Sequence, residues 1–135
     1  MKIYTESIPL QSSKTREAVN IHSRVKAAVE KSGFREGVCV IAALSSDCAL
    51  ALLQPDADLL GEFDSWLNGL GSDPHIESGA LGVNLPVRIP SLLLGQQLTI
   101  PLSDGRLDFG PGEAIFFIEL NGVRPRRLTV KILGE

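Results

Sequence analysis

The sequence predicts an α+β protein in which a mostly antiparallel β-sheet carries two main helices. Three observations lead to this prediction. Short apolar runs of strand length recur along the 135 residues, two segments show helical spacing of apolar residues, and Asp-Gly and Asn-Gly dipeptides separate the last strands. Strands of this kind, with helices packed on one sheet, are typical of α+β proteins.

Length and charge narrow the class of protein. With 44% hydrophobic residues, the chain can fill one core, and we expect a single domain over residues 1–135. A net charge of -3 with mixed signs gives no basic field that would attract nucleic acid or anionic membranes. No apolar run approaches the roughly 18 residues that cross a bilayer, and the N-terminus lacks the apolar block of a secretion signal. We therefore expect a cytoplasmic protein with neither a membrane nor a nucleic-acid partner.

The first third of the chain predicts two strands and a helix. Alternation in "KIYTESIPL" indicates a strand that ends at Pro9, and "REAVNI" indicates a second, shorter one. Ser23 is placed to cap a helix that ends at Gly33. The apolar side of this helix is formed by Val25, Ala28 and Val29.

Two apolar runs follow, "GVCVIAAL" and "CALALLQ", and both are typical of buried strands. Ser45, Ser46 and Asp47 lie between them, so the two strands are predicted to form a hairpin with these residues as its turn. Cys39 and Cys48 lie in apolar surroundings, and we interpret them as buried thiols.

Helical spacing predicts the second helix over residues 58–70. Its apolar face contains Leu59, Phe63, Trp66, Leu67 and Leu70. Trp66 is expected in the core or in a subunit contact. Residues 71–90 are rich in Gly, Pro, Ser and Asn and predict a long loop. A single helical turn, "SLLLG", comes next.

The C-terminal third predicts a β meander of four strands: "QLTIPL", "RLDF", "EAIFFIEL" and "RRLTVKIL". Asp104-Gly105 and Asn121-Gly122 are its predicted hairpin turns. The basic cluster Arg124, Arg126 and Arg127 is interpreted as strand-edge protection or interface pairing. The aromatic content of 5% offers little base stacking, which argues against a nucleic-acid site.

No motif with a self-contained mechanism is present. The sequence contains no GxxxxGK[ST], GxGxxG, CxxC or HExxH pattern. "FGPGEA" has two glycines beside a strand, but no predicted helix follows to bind a phosphate, so a tight bend is the better interpretation.

Most of the chain resembles a known family. The stretch "SLLLGQQLTIPLSDGRLDFGPGEAIFFIEL", followed by "NGVRPRRLTVKILGE", resembles the C-terminal half of the YjbQ family, also called the secondary thiamine-phosphate synthase family. "VEKSGFREGVCVI" and "DADLLGEFDSWLNGL" resemble the preceding half more loosely. The resemblance implies an α+β half-barrel, a homotrimer with a polar pocket at or near the subunit interfaces, and three histidines able to hold a metal ion. It also implies a side activity that joins the thiamine pyrimidine diphosphate to the thiazole phosphate.

Two of the three family histidines are replaced here. The resemblance places Leu44 at the first position and Arg88 at the third, and it retains the second as His75. Because leucine has no lone pair and arginine is a permanent cation, we expect no metal cofactor. A site rebuilt with Cys48 or Asp47 remains an alternative.

Arg88 suggests anion binding instead, since a guanidinium holds phosphate or carboxylate with two parallel hydrogen bonds. The candidate ligand-binding residues are Ser45, Ser46, His75, Asn84, Arg88, Glu119 and Arg124. No catalytic residue is assigned. A surface or interface salt bridge is the alternative for Arg88, and a solvated loop position is the alternative for His75. Residual thiamine-phosphate synthase activity and unrelated phosphate chemistry remain alternatives for the function.

Overall fold

The computed structural model describes residues 1–69 and 85–135, with the backbone alone for residues 85–87. Its helices are α1 (His22–Ser32), α2 (Ala57–Gly69) and α3 (Leu85–Leu94). Its strands are β1 (Lys2–Gln11), β2 (Glu17–Asn20), β3 (Gly37–Ala42), β4 (Cys48–Leu53), β5 (Gln97–Ser103), β6 (Arg106–Leu107), β7 (Ala114–Glu119) and β8 (Pro125–Gly134).

The strands form two sheets, one in the order β1-β8-β3-β5-β6 and one in the order β2-β7-β4. Every pairing in both sheets is antiparallel. Together they make the half-barrel of an α+β protein, which confirms the predicted fold class. The described chain has a third helix beyond the two main helices that the sequence predicted.

Strand β7 is buried along its whole length because it supplies a core on each of its faces. Ile115 and Phe117 pack in the larger core, together with the buried side of α1. Phe116 and Ile118 pack in a smaller core with Leu67 of α2. Since neighbouring side chains of a strand point to opposite faces, a continuous apolar run is what this position requires.

Two predicted hairpins are wrong. Strands β3 and β4 lie in different sheets, so Ser45–Asp47 crosses between the sheets and closes no hairpin. Strands β7 and β8 are likewise separated, which also contradicts the predicted C-terminal meander. The turn at Asp104-Gly105 does join paired strands, and both its residues have positive φ (51° and 77°).

The Asn121-Gly122 dipeptide has a reason other than a hairpin. A Cβ atom at Gly122 would lie 2.2 Å from the carbonyl oxygen of Lys14. The Gly122 amide donates to the carbonyl of Thr15 at 2.9 Å. Glycine is required here because two backbone segments approach closely. In the sequence, an Asn-Gly dipeptide required for this reason cannot be told from one that forms a hairpin turn.

The first strands and α1 differ in detail from their predictions. Strand β1 continues through Pro9 to Gln11, which is possible because β1 is an edge strand and needs no ladder donor on its open side. Ser23 lies inside α1 and does not cap it. Asn20 Oδ1 accepts the amide of His22 at 2.9 Å. The buried side of α1 and its αL end at Gly33 (φ 70°) agree with the predictions.

Helix α2 lies where it was predicted, but the face that it buries is rotated relative to the predicted apolar face. Leu67 is fully buried, whereas Trp66 is 43% exposed and stacks on Phe63, so it is not a core residue. The predicted helical turn "SLLLG" is the last part of α3, which begins earlier, inside the predicted long loop, and contains Pro90. The rest of that loop, together with Leu70, lies outside the described residues. Over the described ranges, the helices are too short and too polar for a transmembrane span.

Candidate functional site

A polar cluster forms where β4, β7 and β8 come together, and it is named the Arg126 cluster here. Its members are Ser45, Asp47, Glu119, Asn121, Arg124 and Arg126. The antiparallel register pairs Cys48 with Glu119, which brings the segment before β4 next to the end of β7. Arg126 reaches this point from β8 in the other sheet.

Arg126 is the central cation of the cluster. Its Nε donates to Glu119 Oε1 at 2.9 Å and its Nη2 to Glu119 Oε2 at 2.5 Å. Its Nη1 donates to Asp47 Oδ1 at 2.7 Å. Every nitrogen of the guanidinium thus has a partner, and the charge is shared by two carboxylates. Arg126 is therefore occupied within the protein.

The two carboxylates are also held by other groups. Glu119 Oε2 accepts the backbone amides of Leu120 (3.1 Å) and Asn121 (3.2 Å). Asp47 Oδ1 accepts Ser45 Oγ at 2.5 Å, and Arg124 Nη1 lies 3.5 Å from Asp47 Oδ2. The formal charges of the two arginines, Arg124 and Arg126, balance those of the two carboxylates. The cluster fixes the segment before β4 in place.

The environment shifts the pKa values of these groups. Burial raises the pKa of the Asp47 carboxyl, but the hydrogen bonds from Arg126 and Ser45 outweigh it, so the net pKa lies well below the ordinary value. Burial is also the largest single influence on Glu119 and raises its pKa, but the hydrogen bonds from Arg126, Ser12 and the Asn121 amide together outweigh it, so the net pKa of Glu119 is lowered. Burial lowers the pKa of Arg126, and the two carboxylates more than reverse that effect. All three groups are charged at neutral pH.

The structure brings part of the predicted site together. Ser45, Glu119 and Arg124 are in the Arg126 cluster, and the exposed Ser46 adjoins it. His75 and Asn84 lie outside the described residues. The sequence prediction treated Asp47 as a turn former and Arg126 as strand-edge protection or interface pairing. Asp47 does lie in a turn, but its carboxylate also binds Arg126. Edge protection is wrong for Arg126, because its side chain is only 9% exposed and is paired within the chain.

The sequence contains a pattern that predicts an inward-facing Arg126. Strand β8 buries Leu128, Val130 and Ile132, and Arg126 has the same parity, so it points to the same side. Glu119 likewise continues the inward series of Ile115 and Phe117. Two opposite charges on inward positions of neighbouring segments indicate a buried ion pair.

Helix α3, which carries Arg88, packs against β4 of the smaller sheet. The Leu50 amide donates to the Gly95 carbonyl at 2.9 Å, and Ser91 Oγ donates to the Cys48 carbonyl at 2.7 Å. Both α3 and β4 therefore run in the same direction here. Since Arg88 is about one turn before Ser91, we expect its side chain towards the Ser45–Asp47 segment that precedes β4. The Arg88 side chain is exposed and has no hydrogen bond or ion pair with any residue that the structure describes.

The donor atoms do not fit a histidine-type metal centre. Leu44 is 69% exposed and presents only hydrocarbon, while Arg88 is a permanent cation. Cys48 is fully buried with its thiol donating to the Ser45 carbonyl, and Asp47 is bound by Arg126. Across residues 1–69 and 88–135 no three His, Cys, Asp or Glu side chains converge on one point.

Comparison with known proteins gives a consistent match. The family described as UPF0047 protein YjbQ-like matches residues 6–135. A UPF0047 protein of Methanothermobacter thermautotrophicus is 32% identical over 136 residues, covering 100% of this chain and 95% of that protein. The UPF0047 protein YugU of Bacillus subtilis is 25% identical, covering 96% and 98% of the two chains.

Solved structures agree with the fold. A YbjQ-like protein of unknown function from Sulfolobus solfataricus superposes with a TM-score of 0.89 at 28% identity, covering 99% of each chain. A YjbQ/UPF0047 protein of Clostridium acetobutylicum gives a TM-score of 0.84 at 25% identity, covering 95% of this chain and 99% of that one.

Proposed function

Since the chain belongs to the UPF0047 family of YjbQ-like proteins, we propose that it is a homotrimeric, metal-independent protein that binds a small anionic ligand. The ligand would lie beside Arg88 and the Ser45–Asp47 segment, with His75, Asn84 and Arg124 as further contacts. Phosphate and carboxylate groups are the anions that a guanidinium recognises best.

The observation that carries this proposal is the contrast between the arginines. Arg126 is saturated by carboxylates, and Arg124 lies 3.5 Å from one. Arg88 is exposed and unpaired among the described residues. It also lies in the first turn of α3, where no acidic side chain compensates the positive end of the helix. Both features favour an anion.

The hydroxyl groups have different roles in this proposal. Ser45 Oγ already donates its proton to Asp47, so Ser45 serves mainly to hold the segment. Ser46 is exposed and its hydroxyl remains able to donate to a ligand. The proposed site binds and orients an anion without a metal ion as Lewis acid, because Leu44 and Arg88 offer no lone pairs to hold one.

The exposed surface of α3 supports the homotrimer. Leu92 and Leu93 are 79% and 74% exposed, one turn beyond Arg88. Burying such exposed leucine side chains between subunits has a favourable free energy. An interface formed there would place Arg88 close to a neighbouring subunit.

Calorimetric titration with inorganic phosphate and pyrophosphate tests the proposal. Arg88→Ala should weaken binding by about tenfold or more, since a charge-assisted hydrogen bond is lost. Arg127→Ala is the matched control, because this exposed arginine donates to Ser7 and has no part in the site. Sedimentation of each variant measures its oligomeric state, and so distinguishes the loss of a ligand contact from the loss of the trimer. Absence of binding to the parent protein, or equal losses in both variants, would refute the proposal.

Two further measurements address the alternatives. Elemental analysis should find no stoichiometric zinc in the parent protein, and a full equivalent per subunit would contradict metal independence. An assay with hydroxymethylpyrimidine diphosphate and thiazole phosphate should give no thiamine phosphate above a protein-free control. Product formation that is abolished by Arg88→Ala would instead support the synthase activity.

A further inference from the structure

A cleft lies between α1 and the hairpin of β5 and β6, and it is named the α1-hairpin cleft here. Its volume is about 510 Å³, within the range of small-molecule sites. One wall is the face of α1 that presents His22, Lys26, Val29 and Glu30. The other wall consists of Arg35, residues 104–107 and Phe109. None of these residues belongs to the Arg126 cluster.

The hairpin side of the cleft is tied to the chain that follows α1. The Gly105 amide donates to the Arg35 carbonyl at 2.9 Å, and the Asp104 amide donates to Glu36 Oε1 at 3.0 Å. Arg35 and Asp104 also form an ion pair. These contacts fix the hairpin wall of the cleft, which lowers the ordering cost of binding.

The charges of the cleft favour a single negative charge. Arg35 is neutralised by Asp104. The side chains of Lys26 and Arg106 are exposed on opposite walls, and neither side chain has a hydrogen bond or ion pair with a residue in the described part of the chain. Glu30 is the remaining charged group on the α1 wall. The five groups sum to +1, so a monoanion fits better than a dianion.

The cleft also presents apolar and aromatic surface. The rings of His22 and Phe109 lie with centroids 5.0 Å apart, and Val29 and Leu107 complete the surface. His22 Nδ1 is buried without a partner among the described residues. The tautomer with its proton on Nε2 avoids a buried, unpaired N–H and leaves Nε2 as a donor on the open side.

We infer that the α1-hairpin cleft binds a small aromatic carboxylate. The carboxylate lies between Lys26 and Arg106, which attract it from the two walls, and the ring packs on Phe109 and Leu107. His22 Nε2 donates to the anion or to a polar ring substituent. This site is separate from the anion site proposed at Arg88 and does not depend on it.

Proton NMR with benzoate tests the inference on the intact chain. The protein has two histidines, so the His22 imidazole signal is identified as the one that His22→Ala removes. Benzoate should shift this signal saturably. Acetate and benzyl alcohol, which carry only the charge or only the ring, should bind about tenfold more weakly or worse. No saturable shift, or an equal effect of acetate, overturns the inference.

Exposed charge variants test the binding geometry without disturbing the core. Lys26→Gln and Arg106→Gln should each weaken benzoate binding by about tenfold. Glu30→Gln should tighten it by removing a like charge. Arg127→Gln, which changes an arginine outside the cleft, should bind like the parent. Unchanged affinity in both Lys26→Gln and Arg106→Gln, or weaker binding in Glu30→Gln, contradicts the site.

Discussion

Arg126 and Glu119 meet in a two-point ion pair that joins the two sheets. Arg126 lies on β8 of the five-stranded sheet, and Glu119 ends β7 of the three-stranded sheet. The two hydrogen bonds are 2.9 Å and 2.5 Å long, and Glu119 is completely buried. The pair positions Asp47, and through it the segment beside the proposed anion site.

Removing Arg126 should strongly destabilise the protein. In Arg126→Ala, Glu119 remains buried without its cation, and the free energy of unfolding should fall by about 3–5 kcal/mol. Urea unfolding at pH 7 measures this loss. Arg127→Ala, at the next and exposed position of β8, should change stability by no more than about 0.5 kcal/mol. A loss below about 1 kcal/mol in Arg126→Ala would show that the pair is solvated.

Stability should decrease in acid because of Asp47 and Glu119. Burial alone would raise their pKa values, but the hydrogen bonds from Arg126 and neighbouring donors outweigh burial, so both pKa values are lowered in the folded protein. Below an ordinary carboxyl pKa of about 4, the unfolded chain binds more protons than the folded one, so the free energy of unfolding falls as pH falls. Urea unfolding between pH 7 and pH 2 measures the slope.

The variant Asp47→Asn isolates the contribution of Asp47 to the pH dependence of stability from that of Glu119. It should be less stable than the parent at pH 7, by about 1–3 kcal/mol. The difference should narrow as pH falls, because the parent then loses the same charge. A constant difference across the pH range would mean that Asp47 does not contribute through its ionisation.

Two glycines give a matched pair of opposite predictions. At Gly37, a Cβ atom would lie 1.9 Å from the Leu133 carbonyl oxygen, where β3 approaches β8, and φ is 152°. Gly37→Ala should therefore cost about 3 kcal/mol or more. At Gly61 of α2 nothing lies within 4 Å, so Gly61→Ala should stabilise by about 0.5–1 kcal/mol. Thermal unfolding measures both, and equal effects would contradict the strand contact.

The two thiols should be unreactive in the folded protein. Cys39 and Cys48 are fully buried, and burial raises the pKa of each to about 11. At pH 8 only about one molecule in a thousand then carries a given thiolate. Both should react with a disulfide reagent in denaturant and neither without it, as measured by the absorbance of the released thiol. Rapid reaction of one thiol in the native protein would contradict its burial.

Local periodicity was a good guide to the elements and their faces. The buried side of α1, the position of α2 and the alternation of β8 follow from residues a few positions apart in sequence, where the backbone itself sets the geometry. Only the last turn of helix α3 was predicted, in the stretch "SLLLG", because Pro90 argues against a helix before it. Packing of the buried Ser91 against β4 overrides that local preference.

The α+β class, the family resemblance and most strands could be predicted from the residues alone, because each rests on local pattern or on likeness along the chain. The pairing of the strands could not, and it is the pairing that makes two expected hairpin segments cross between sheets. Strand pairing depends on contacts between distant segments, whose apolar patterns are interchangeable. Arg126 and Asp47 are 79 positions apart, and their meeting follows from that pairing alone.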